Sequence, residues 1–209
     1  MHSQSESIFD FDGTLVSQNS TRVFEKISYA ELAGLRKGVV YILYFFLSGF
    51  VINIAASLCS RLSKNSIDWR FKIFWILCKS KVILNIDEII SNVSSELSLN
   101  ESISIDYSLP IKVATCGLNC VVQNFCEMND INYEIIVSSR IDSNNGRTEL
   151  KLISPSDKSI SLAKLVWKNY LTDDSNEAEL IQLELHKLSK KSSVTEDGVL
   201  FLVNRNFEI

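Results

Sequence analysis

An α/β fold built on a parallel sheet, opened after its first strand by an all-helical insert, is predicted for this 209-residue chain. Three observations predict it. The first is Ser7-Ile8-Phe9-Asp10-Phe11-Asp12-Gly13-Thr14, in which a short apolar run from Ile8 to Phe11 ends in two aspartates and a glycine turn. That is the pattern of a buried strand delivering polar groups at its carboxyl end, where open α/β sheets bind ligands. The second is the alternation of strand-like and helix-like runs from Ile111 onward, which reads as βα units. The third is residues 17–110, which hold long apolar helical runs and few strand signals. They carry 10 Lys/Arg against 8 Asp/Glu, whereas the remainder carries 11 against 17. Residues 1–16 and 111–209 are therefore expected to form an acidic α/β core, and residues 17–110 a helical domain set into it.

Composition narrows the function classes. At 46% hydrophobic and 22% charged, the chain can bury a substantial core. Its net charge of −4 gives no reason to expect nucleic acid as a partner. Five cysteines, Cys59, Cys78, Cys116, Cys120 and Cys126, form no C-x-x-C pair, and only two histidines are present. A zinc site is not expected, and free thiols point to a reducing, cytoplasmic setting. Met1 to Glu6 is polar and lacks the apolar segment of a secretory signal.

Within the insert, Gly38 to Leu58 is an uncharged run of 21 residues between Arg36-Lys37 and Arg61. Its length suits a membrane span. A single span, however, would put Asp10 and the later strands on opposite sides of the bilayer. Ser48-Gly49 instead breaks the run into a hairpin buried within the insert. Peripheral contact with a membrane surface through this hairpin is the alternative, kept by the basic flanks and the tyrosines. Trp69 to Leu77 continues as an amphipathic helix, and Asn85 with Glu88 opens another.

In the C-terminal half, Ile111 to Thr115 reads as a strand and Cys116 to about Asn129 as a helix. Thr115 reads as a helix cap and, compatibly, as a hydroxyl offered to a phosphate oxygen at a helix N-terminus. Tyr133 to Ser138 is a strand, and Thr148 to Ile153 pairs back through a turn at Asn145-Gly146. Asp157-Lys158 precedes a helix expected over Ile160 to Val166. Trp167 to Thr172 runs as a strand into a second acid cluster, Asp173-Asp174-Ser175-Asn176-Glu177. Leu180, Ile181, Leu183, Leu185 and Leu188 give the next helix a broad apolar face, and Val199 to Val203 is a last strand.

Strand-D-x-D-G-T, helical insert, strand-Thr, lysine and strand-acid cluster is the order of four motifs in the haloacid-dehalogenase-like hydrolases. The chain resembles that superfamily, most nearly its phosphoserine-phosphatase-like branch with a helical cap after the first motif. The resemblance implies a Rossmannoid parallel sheet with helices on both faces. It implies a Mg²⁺-dependent phosphatase acting on a small phosphomonoester through an aspartyl-phosphate. Asp10 would be the nucleophile and Asp12 the general acid/base. Thr115 and Lys158 would bind phosphate, with Lys164 a weaker candidate than Lys158. The metal would be held by Asp10, Asp12, Asp173, Asp174 and Glu177. Glu177 stands where an aspartate is usual, and Asn19 where phosphoserine phosphatases carry a substrate-binding glutamate, so a substrate other than phosphoserine is expected. A lipid-linked phosphate at a membrane surface and a non-catalytic binding role are the alternatives.

Overall fold

The computed structural model describes residues 7–31, 37–39, 86–103, 105–106, 108–144, 147–197 and 200–205. Among them run β1 (Ser7–Phe9), α1 (Ser20–Ala30), α2 (Ile86–Glu96), β2 (Ile111–Leu118), α3 (Asn119–Met128) and β3 (Tyr133–Asn144). They are followed by β4 (Arg147–Lys151), α4 (Pro155–Lys164), β5 (Asn169–Thr172), α5 (Ser175–Lys187), β6 (Ser192–Asp197) and β7 (Leu200–Arg205). The chain divides into two compact units. One comprises residues 1–20 and 94–209, the other residues 21–93.

The first unit is an α/β domain. Its sheet has the order β4-β3-β2-β1-β5-β7-β6. β3, β2, β1 and β5 are parallel. β4 pairs antiparallel with β3, and β7 and β6 extend the other edge antiparallel. The central position of β1 follows from its composition. Ser7, Ile8 and Phe9 are all buried, as a strand flanked on both edges and both faces must be.

Side chains of successive strand residues alternate between the two faces. Ile8, Ala114, Tyr170 and Val203 join Leu162 and Ala163 of α4, and Ala178, Ile181 and Leu185 of α5, in one core cluster. α3 buries Val121, Val122, Phe125 and Cys126, and Phe125 meets Phe11 edge to face at 5.6 Å between ring centroids. Burying side chains of this size contributes about 1.5–3 kcal/mol each.

Several boundaries differ from the sequence expectation. β1 stops at Phe9, because the chain leaves the sheet at Asp10 into a turn closed by Leu15 N–H to Asp10 O and Val16 N–H to Phe11 O. β2 continues to Leu118, with irregular register against β3 after Val113, and α3 opens only at Asn119. α4 begins at Pro155 rather than near Ile160. Ser154 and Asp157 form a reciprocal capping box there, with proline in the first turn. β6 went unread because Ser192 to Asp197 is polar and alternates only weakly. On α5 the buried stripe is Ala178, Ile181 and Leu185, while Leu180, Leu183 and Leu188 are exposed.

Residues 94–110 group with the sheet. Ser17 N–H donates to Ser98 O, and Asn100 N–H to Leu15 O. In the second unit, α1 buries Phe24 and Ile27, and α2 buries Ile89, Ile90 and Val93, at the spacing of a helix with one apolar face. The apolar run beyond Val39, the Trp69–Leu77 helix, Asn85, Cys59, Cys78 and the Asn145-Gly146 tip lie outside the described residues. Among the described residues, no helix is long and apolar enough to cross a membrane.

Candidate active site

The site is built where β1 and β5 end side by side. Phe9 pairs with Leu171, and Asp10 N–H continues that ladder to Leu171 O at 2.8 Å. This sets the acids that follow the two strands next to each other. Asp10 is only 7% exposed. Its Oδ1 accepts from Phe11 N–H at 2.8 Å and from the Lys158 ammonium at 2.8 Å. Both bonds fall on Oδ1.

Lys158 is 1% exposed. It lies inside α4 rather than ahead of it, on the face turned to the sheet, placed there by the Ser154-Pro155 start of the helix. Its Nζ also lies 2.8 Å from Glu177 Oε1. A single ammonium therefore serves two buried carboxylates. Burial pushes Asp10 up to about 8, and Glu177 adds to the rise, although Lys158 pulls it back. Lys158 is itself raised, the two carboxylates outweighing its own burial.

Asp12 is half-buried, and its Oδ1 accepts from Ser20 N–H, at the start of α1, at 2.7 Å. Burial raises its pKa and this hydrogen bond offsets part of the rise. Gly13, at φ +75°, carries the turn. A Cβ there would lie 2.1 Å from Asp173 Oδ2, so only glycine leaves room for that carboxylate. Thr14, fully buried, accepts from Asp173 N–H at 2.8 Å and donates to Asp173 Oδ1 at 3.3 Å. Asn100 braces the same turn, donating from Nδ2 to Gly13 O at 3.2 Å.

Thr115 does not cap α3. The cap position is Leu118, without a side-chain bond. Thr115 Oγ1 accepts instead from Gly117 N–H at 2.8 Å, which leaves its hydroxyl proton to offer. Ser20 Oγ, Thr115 Oγ1 and Asp12 Oδ2 lie 3.0, 3.2 and 3.3 Å from the position a Gly117 Cβ would take. Gly117 therefore keeps three polar groups close around an unfilled space.

The second acid cluster divides. Asp173 and Asp174 are exposed, and Asp174 caps α5 by accepting from Asn176 N–H at 2.8 Å. Glu177 is 7% exposed and accepts from Lys158 and from the Tyr170 hydroxyl. Lys164 is exposed at the far end of α4. The structure thus brings Asp10, Asp12, Thr115, Lys158, Asp173 and Glu177 to one end of the sheet, with Asp174 at its rim.

Sequence reasoning missed Tyr170, Thr14, Ser20, Gly117 and Asn100. Thr14 and Gly117 were within reach, since each stands within two residues of a named acid or hydroxyl. Tyr170 and Asn100 carried no local signal. Among the described residues, no group of three or more His, Cys, Asp or Glu is arranged to hold a metal ion.

No known family model matches the chain, and no curated protein matches it. Among solved structures it is similar to one described as a phospho-aspartyl intermediate analogue of phosphoserine phosphatase. The likeness has a TM-score of 0.41 and 16% identity, over 78% of this chain and 69% of that one.

Proposed function

We propose that this protein is a phosphatase of the haloacid-dehalogenase-like type that hydrolyses a phosphomonoester through an aspartyl-phosphate. The observation that carries the reading is Asp10. It is a carboxylate buried at the carboxyl end of a central parallel strand, with Oδ1 tied to an ammonium and a main-chain N–H, and a second carboxylic acid of raised pKa two residues on. A buried, half-compensated carboxylate costs stability, and such groups cluster where chemistry uses them.

In the first step, the Asp10 carboxylate attacks phosphorus in line. The bond from phosphorus to the ester oxygen breaks, and Asp12 gives its proton to the departing oxygen. Burial raises the pKa of Asp12, the direction that favours a proton donor. In the second step, Asp12 takes a proton from water as the water attacks phosphorus, and the bond to Asp10 breaks to release phosphate. Lys158 supplies positive charge beside the reacting oxygens, and Thr115 donates its hydroxyl proton to one of them. Dehalogenation needs no acid for its leaving group, so the Asp10/Asp12 pair favours phosphoryl chemistry.

The charge balance leaves room for a cation. Among the described residues, the Lys158 ammonium is shared by Asp10 and Glu177, Asp12 lies two residues on, and Asp173 stands against the same turn. The donors are hard oxygens, which suit Mg²⁺, an ion that keeps several waters and needs few protein ligands. Asp10, the main-chain carbonyl of Asp12, and Asp173 would hold it, with Asp174 or Glu177 acting directly or through water. When bound, it offsets the repulsion between the Asp10 carboxylate and the phosphate.

Residues 17–110, whose compact body is residues 21–93, would act as the cap that selects a small phosphomonoester. The uncharged run from Gly38 to Leu58 supports a second reading, in which the substrate is a lipid-linked phosphate and the protein, cytoplasmic, touches a membrane surface. Sedimentation with anionic liposomes separates the two.

Hydrolysis of p-nitrophenyl phosphate, with Mg²⁺ and with EDTA, tests the reading in the parent and in Asp10→Asn. Turnover should need the metal, and the variant should lose at least about 10³-fold in kcat. Turnover that survives either loss would overturn the assignment.

A further inference from the structure

Tyr170 takes no part in the steps above, yet its hydroxyl is buried among the groups that do. Strand alternation on β5 turns it toward α4 and α5, where it is fully buried against Ile8, Leu162, Trp167, Ala178 and Ile181. A phenylalanine would satisfy those neighbours. The hydroxyl adds a donor, and that donor goes to Glu177 Oε1. The same oxygen lies 2.8 Å from Lys158 Nζ, and Lys158 Nζ lies 2.8 Å from Asp10 Oδ1. The ammonium also stands 5.8 Å from the centroid of the Tyr170 ring, within range of a cation–π attraction.

These contacts form a chain from Tyr170 through Glu177 and Lys158 to Asp10. Lysine is a point charge on a flexible stem and has to be aimed. Without the phenol, Glu177 Oε1 would have only the ammonium to offset its buried charge and would compete harder for it against Asp10. With the phenol, that charge is divided between two donors and the carboxylate is fixed in place. The Glu177 side chain spans from α5 to both the phenol and the ammonium. We infer that Tyr170 is a positioning residue, which acts through Glu177 to keep the Lys158 ammonium on Asp10, where phosphoryl oxygens would bind. The inference rests on the phosphatase reading.

The test is a double-mutant cycle on p-nitrophenyl phosphate hydrolysis with Mg²⁺, using Tyr170→Phe, Glu177→Gln and the double variant. Folding is checked by circular dichroism and thermal melts. Tyr170→Phe should lower kcat about ten-fold with KM changed less than about two-fold, because the aimed charge matters most in the transition state. The double variant should be no slower than Glu177→Gln alone, because Tyr170 acts only through Glu177. A merely structural tyrosine would lower both backgrounds by the same factor, and that result would overturn the inference, as would full activity in Tyr170→Phe. Should Glu177→Gln not fold, Glu177→Asp replaces it, and Tyr170→Phe should again have no effect in that shortened background. A parent without Asp10-dependent turnover would instead remove the phosphatase reading itself and the inference with it. An active parent with multiplying effects removes the inference alone.

Discussion

The acids after β1 and the acids after β5 sit at the ends of neighbouring parallel strands, each where a strand gives way to a turn and a helix. Asp174 is exposed and its carboxylate caps α5, which accounts for its presence without any ligand. Asp10 is 7% exposed, accepts one main-chain N–H and shares the Lys158 ammonium with Glu177, and no helix terminus accounts for a charge there. An acid that a helix terminus explains says little about function, whereas a buried acid with half a counter-ion says a good deal. Glu177 crosses between the classes. It belongs to the second cluster by position and to the first by burial, because α5 turns it back under Lys158.

The comparison is tested hardest by removing the shared cation. Lys158→Met keeps the buried stem and deletes the charge, leaving Asp10 and Glu177 buried without the ammonium they share. Breaking a buried pair in this way costs about 3–5 kcal/mol. Urea denaturation of the metal-free protein should show a loss of that size. A change under about 1 kcal/mol, the range of an exposed pair, would mean that the cluster is better hydrated than its burial indicates.

The converse change should stabilise. Burial holds Asp10 at about 8, so from roughly pH 4 to pH 8 the folded protein keeps a proton that the unfolded chain has given up. Metal-free stability is then greatest at the acid end of that window and falls as pH rises through it. Asp10→Asn leaves Lys158 matched one to one with Glu177. In EDTA at pH 8 its Tm should exceed the parent's, and its slope with pH should be flatter, with Asp12 supplying what remains. A parent whose Tm climbs between pH 4 and 8 would break the argument. The variant that is most stable without metal should also be the one that cannot turn over.

Gly13→Ala probes the join between the clusters. The substitution forces a side chain into positive φ, which costs about 1–2 kcal/mol, and drives a methyl group into the Asp173 carboxylate. Asp173 can swing toward solvent, so the loss in a thermal melt should stay near about 2 kcal/mol. The fall in Mg²⁺-dependent turnover should be disproportionate, because Asp173 is the group displaced.

The sheet and the site were legible to different degrees. Hydrophobic runs and acids at strand ends were enough to find β1, β2 and β5 and to put Asp10, Asp12, Thr115 and Asp173 at one end of the sheet. The α4 boundary was legible and was overlooked. Ser154-Pro155-Ser156-Asp157 is a helix start in its own right, and reading it would have put Lys158 on a buried helical face instead of in a loop. β6 was hidden because an edge strand facing water need not alternate. The partnership of Tyr170 with Glu177 could not be read at all. It depends on the crossing of β5 and α5 in three dimensions, and no spacing in the chain encodes that.

Asp174→Ala gives the smallest expected effect and the finest separation of the two clusters. If Asp174 is mainly the cap of α5, the variant loses the bond from Asn176 N–H and about 1 kcal/mol of stability. Its Mg²⁺ requirement should then shift by no more than about three-fold, as for a contact made through water. Asp173→Asn should move the same requirement by ten-fold or more, since it alters a group proposed to touch the ion. Magnesium titrations of turnover in both variants, beside their thermal melts, place each acid on two axes. Equal metal effects from the two substitutions would put Asp174 among the direct ligands and make the capping bond a by-product of that duty.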